Sequence, residues 1–138
     1  MIARGLLFLV VGTGFASVAM AEEPKVNCAK AELQIELNYC AEKALDAADA
    51  ELNAQWKVTK AVAAQADGEV EKSMRGAEAA LLKAQRAWID YRDGTCEVAG
   101  FAMRGGTAEQ MLIYDCQARL TRARTGELKE LAAGLAGQ

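Results

Sequence analysis

The chain contains no histidine and a single proline, Pro24, in 138 residues. Without histidine there is no Ser-His or Cys-His pair and no imidazole base. No two cysteines stand in a CxxC pair, which together with the missing histidine argues against a zinc site. No strand pattern precedes a glycine-rich loop, so a phosphate cradle is not expected. Basic residues are outnumbered, 16 against 19 acidic, and the net charge of −3 supplies no footprint for nucleic acid. The longest purely apolar run, Gly5 to Val11 (GLLFLVV), is too short to span a membrane. Carboxylates such as Asp90 and Glu97 could imitate an acid/base pair, but they fall on a charge-patterned helical surface. The expectation is a protein that is not an enzyme and needs no cofactor or metal.

What is present begins with an address. Arg4, the short apolar run and Ala19-Met20-Ala21 form a secretory signal peptide over residues 1–21, with cleavage after Ala21. The remaining 22–138 form one domain, periplasmic or secreted, whose charge without Arg4 is −4 (15 basic, 19 acidic). Four cysteines in an exported chain imply two disulfides. Three pairings are possible. The preferred one joins Cys28 to Cys40 and Cys96 to Cys116, because eleven and nineteen intervening residues then close short loops within single supersecondary units. Each crosslink adds about 3 kcal/mol on a chain-entropy estimate.

Apolar residues recur at helical spacing in three series. The first runs Leu33, Leu37, Ala41, Leu45, Ala48, Leu52, Trp56 and Val62, ending at the Asp67-Gly68 turn signal. The second runs Val70, Met74, Ala77, Leu81, Gln85, Trp88 and Tyr91, stopping near Gly94. The third runs Met111, Tyr114, Ala118, Leu120, Leu128 and Leu131. Thr107 and Gln110 form a capping-box pattern at its start. Gly76 within the second helix and Gly126 within the third each cost about 1 kcal/mol relative to alanine. The fold class is all-α: a compact antiparallel bundle of three long helices stapled by two disulfides.

The densest stretch is AQRAWIDYRDGTC, residues 84 to 96. On a helix Gln85, Trp88, Arg92 and Cys96 share a stripe, with Tyr91 beside it, while Arg86, Asp90, Asp93 and Glu97 form a charged outer face. Trp88, Tyr91 and Arg92 therefore read as structural, Arg92 bridging helices through an ion pair whose partner the sequence does not name. The adjoining EVAGFAMRGG, residues 97 to 106, carries Phe101, Met103 and Arg104 on a loop tethered by Cys96 and is the candidate partner-binding element. The competing expectation folds Phe101 and Met103 inward as a cap on the bundle.

In order along the chain, Cys28, QIELN at 34–38 leading to Cys40-Ala41, ADAELN at 48–53, AQRAW at 84–88 with Tyr91-Arg92-Asp93, Cys96, GGT at 105–107, Cys116, and LTR at 120–122 with Arg124-Thr125 and Leu128 resemble the LprI lysozyme-inhibitor family. The resemblance covers nearly all of 22–138. The departure is that no lipid-acceptor cysteine stands at the end of the leader, which bears on anchoring rather than fold. The resemblance implies an exported binding protein that inhibits lysozyme-type peptidoglycan hydrolases by occluding the cleft. The alternative is a cell-envelope assembly module with no lysozyme target. Neither oligomeric state nor contact residues follow from it.

Overall fold

The computed structural model describes residues 25–137; the leader, its cleavage point and Gln138 lie outside them. Three helices account for most of this span: α1 (Gln34–Glu69), α2 (Ala77–Gly100) and α3 (Glu109–Ala136). Short 3₁₀ turns at Cys28–Lys30, Lys72–Met74 and Phe101–Met103 precede or join them, and the described residues include no strand. Consecutive helices run antiparallel, so α1 and α3 point the same way. Their most extensive packing is against each other, in a register in which Asn38 meets Thr107 and Thr59 meets Leu128.

The seam of α3 is Ala118, Thr121, Thr125, Leu128 and Ala132, all buried at alternating spacings of three and four. That is the repeat of a coiled-coil contact. Against it α1 buries Ala41, Ala48, Leu52, Thr59 and Ala63. Alanine on both sides brings the backbones close. A buried threonine is tolerated because its hydroxyl finds a helix carbonyl: Thr59 Oγ1 lies 2.9 Å from the Leu128 carbonyl and 3.0 Å from its own Gln55 carbonyl. Leu52, Ala63, Leu81 and Leu128 form the apolar centre, with Trp56 and Trp88 packed against it.

Both disulfides have the preferred pairing, Cys28–Cys40 and Cys96–Cys116. Both sit at one end of the bundle, where α1 and α3 start and α2 finishes. The second is the buried one, with Cys96 fully covered.

The helix limits correct several expectations. Helix α2 does not begin in the Val70–Met74 region; Met74 lies exposed in a 3₁₀ turn, and Gly76 stands ahead of the helix rather than within it. Gly76 has φ +150°, a conformation that favours glycine. The start is enforced from α1: the Asp67 carboxylate accepts from the amides of Gly76 (2.8 Å), Ala77 (2.9 Å) and Glu78 (3.1 Å). These three bonds hold its carboxyl below the usual value. Gly94 does not stop α2, because two further turns are anchored by Cys96 and by a close approach at Gly100. The Thr107–Gln110 capping box does not form. Ala108 precedes α3 in an already helical conformation, with no side-chain cap, and the Thr107 carbonyl instead accepts from Asn38 Nδ2 at 2.9 Å. Leu33 lies just ahead of α1 and is exposed, as is Leu131.

A disulfide-braced tip at the end of the bundle

The segment Phe101 to Ala108 closes the disulfide end. Gly100 sits where a Cβ atom would come within 2.7 Å of Ile113 Cγ1, so any side chain there would force Ile113 to shift. After the Phe101–Met103 turn, Gly105 takes φ +76°, and the Gly106 amide donates to the Met103 carbonyl at 2.8 Å. The Glu109 carboxylate accepts from the Gly105 amide at 2.7 Å and from Arg104 Nη1 at 3.1 Å. From α1, Gln34 Nε2 donates to Asn38 Oδ1 at 2.8 Å and fixes the asparagine that holds Thr107. The segment is thus tied to all three helices.

Phe101 and Met103 do not fold inward. They are 55% and 49% exposed. The Arg104 guanidinium lies 4.3 Å from the centroid of the Phe101 ring. Stacked there and paired with Glu109, it is held in place yet remains more than half exposed. The tip therefore presents an aromatic ring, a thioether and a cation in a fixed arrangement.

Two neighbours extend this surface: Val98, which the sequence reading did not single out, and Tyr91, which it placed among the structural residues and which the fold instead turns outward. Val98 is 70% exposed and Tyr91 59%. Tyr91 lies about 100° around the helix from the centre of the Leu81–Gln85–Trp88–Arg92–Cys96 stripe, so it faces solvent rather than joining the bundle. Tyr91 and Val98, seven apart on α2, and Phe101 just past its end carry the spacing that could have marked an outward stripe.

Arg92 has the bridging role expected of it. Its Nη1 donates to Asp49 Oδ1 of α1 at 3.0 Å and to Thr121 Oγ1 of α3 at 3.2 Å, while Nε donates to Asp93 at 2.9 Å. The guanidinium also lies 5.2 Å from the Trp88 ring centroid. Asp93 accepts as well from Gln117 Nε2 of α3 at 3.3 Å. Arg86 and Asp90 lie on the exposed outer face and form no ion pair among the described residues. The densest part of the sequence is thus a three-helix clamp beneath the tip. All four cysteines are oxidised, leaving no thiolate nucleophile.

The sequence model of the family described as lysozyme inhibitor LprI matches residues 27–128. The chain belongs to this family. The match takes in both disulfides, the Arg92 clamp and the whole tip, and it ends at Leu128, before the last two turns of α3. Members are inhibitors rather than enzymes, so the partner class at family level is a protein such as lysozyme. The chain is also 51% identical over 116 residues to an uncharacterized protein of Rhizobium meliloti (strain 1021), covering 82% of this chain and 84% of that relative. No solved structure matches the chain.

Proposed function

We propose that the protein is an exported inhibitor that blocks lysozyme-type peptidoglycan hydrolases by seating the Phe101–Arg104 tip in the active-site cleft. The observation that carries this reading is the exposed Phe101–Met103–Arg104 group, held rigid by Cys96–Cys116, Gly100 and Glu109. A preorganised aromatic and arginine cluster loses little side-chain freedom on binding, which is the condition for a hot spot. Retaining glycosidases of the lysozyme type hold two carboxyl groups in the cleft. Arg104, exchanging Glu109 for those carboxylates, would neutralise them while Phe101 and Met103 exclude water.

Export is supported by the signal-like character of residues 1–21 and by the two disulfides, which persist in oxidising compartments. A chain of charge −4 attracts a basic hydrolase, so association slows as salt rises.

The test adds oxidised Glu22–Gln138 to a c-type lysozyme acting on a cell-wall suspension, at low and physiological salt, with reduced and alkylated protein as control. Saturable inhibition that requires the disulfides supports the reading. No inhibition at micromolar protein removes this lysozyme class, and the envelope-assembly alternative then takes precedence.

A further inference from the structure

Towards the opposite end of the bundle, an open cleft of about 620 Å³ runs along α3, lined by Arg124, Glu127, Glu130, Leu131, Gly134 and Leu135. It shares Leu131 and Leu135 with an almost wholly apolar groove of about 280 Å³, whose α2 wall includes Ala80, Leu81 and Ala84. Together these have the size and lining of a small-molecule site.

Arg124 stands at the polar end. Its side chain is only 9% exposed. Nε donates to Gln85 Oε1 at 3.0 Å and Nη1 to Glu127 Oε2 at 2.8 Å. Nη2 is buried with no hydrogen-bond partner. A buried, unsatisfied guanidinium nitrogen is costly and unusual in a native protein. The Nη1–Nη2 edge is a fork that matches a carboxylate bidentately, and Glu127 occupies one prong of it. Glu127 itself is 56% exposed, so it is free to swing into solvent.

We propose that this cleft binds an amphipathic monocarboxylate, a medium-chain fatty acid in kind, whose carboxylate displaces Glu127 from Arg124 and engages both Nη1 and Nη2. The acyl chain then lies along the groove between the alanines of α2 and Leu131 and Leu135 of α3. From Arg124 to Leu135 is about 16 Å at 1.5 Å rise per residue, enough for an extended chain of that class. Exchange rather than addition is required for two reasons. Glu127 already holds Nη1, so both prongs of the fork are available only once it leaves, and Glu130 on the rim opposes a further negative charge. The apolar lining selects the tail; the half-filled fork selects the head.

The experiment is calorimetric titration of the oxidised protein with decanoate below its micelle concentration, beside decanol and acetate. Decanoate is expected to bind saturably at one site and to exceed both controls at least tenfold. Glu127→Gln removes the internal competitor and strengthens decanoate binding several-fold. Arg124→Gln weakens it at least tenfold. Ala84→Phe, at an exposed position, fills the groove and also weakens binding, which keeps a readout should Arg124→Gln fail to fold. Decanol binding as tightly as decanoate would show an apolar groove without the arginine fork and overturn the proposal. So would acetate matching decanoate, or Glu127→Gln leaving affinity unchanged.

Discussion

The two ends of this bundle are built differently. Both crosslinks lie at one end, where the Cys96–Cys116 bond, a glycine contact and a ring of side-chain bonds hold Phe101, Met103 and Arg104 out in solvent. At the other, no crosslink is present among the described residues; Asp67 caps α2 and a few leucines meet, and an apolar groove runs between α2 and α3. A chain of this size buries too little apolar surface to be rigid everywhere. Placing its covalent constraints at one end concentrates rigidity where apolar groups must stay exposed, and leaves the far end able to open.

Changes at the braced end should cost the most. Replacing Cys96 and Cys116 together by alanine is expected to lower stability by about 3 kcal/mol and to abolish inhibition. The Cys28–Cys40 replacement should leave inhibition largely intact, because Cys28 is exposed and ties down only the segment before α1. Denaturant melts with parallel lysozyme assays measure both, and equal loss of inhibition in the two variants would break the comparison. Next in size is Gly100→Ala, whose new methyl meets Ile113 and should cost about 1–3 kcal/mol. Thr59→Val removes the buried hydroxyl beside the Leu128 carbonyl and should cost about 1 kcal/mol without touching inhibition.

At the open end, Asp67 gives a pH signature. Its folded carboxyl titrates below the ordinary value of 3.8, so the stability it supplies is complete above that value and is lost as pH falls through the folded one. The difference in Tm between the native protein and Asp67→Ala should be constant from neutral pH to about pH 5 and shrink in more acidic solution. A difference that persists unchanged at pH 2 would show that the cap acts without its charge. The smallest effect is expected from Gly126→Ala on α3. Nothing lies within 4 Å of the added Cβ, so a gain of up to about 1 kcal/mol should appear as a modest rise in Tm.

Helix number, disulfide pairing and the bridging role of Arg92 were legible because each follows from spacing alone. The seam of α3 was only half legible: Ala118 and Leu128 announce themselves, but Thr121 and Thr125 are polar by type and buried because Arg92 and Asp49 satisfy the first hydroxyl and the Thr121 carbonyl the second. The start of α2 was hidden because its cap, Asp67, lies nine residues before the first amide it receives. Likewise, Thr107 and Gln110 have the letters of a capping box, yet the 105–109 turn is organised by Glu109 and Asn38 instead. At the tip, the sequence named the residues but not their direction. Whether Phe101 points in or out depends on how the turn after α2 is held by Gly105, Glu109 and Asn38, which local spacing does not reveal.

The most direct test of the account is the inhibition constant of Arg104→Ala and Phe101→Ala against a c-type lysozyme, each variant first shown by its Tm to be folded and crosslinked. The account predicts at least tenfold weaker inhibition for each, the equivalent of about 1.4 kcal/mol. Undiminished inhibition by both folded variants would contradict it and place the inhibitory surface away from the tip.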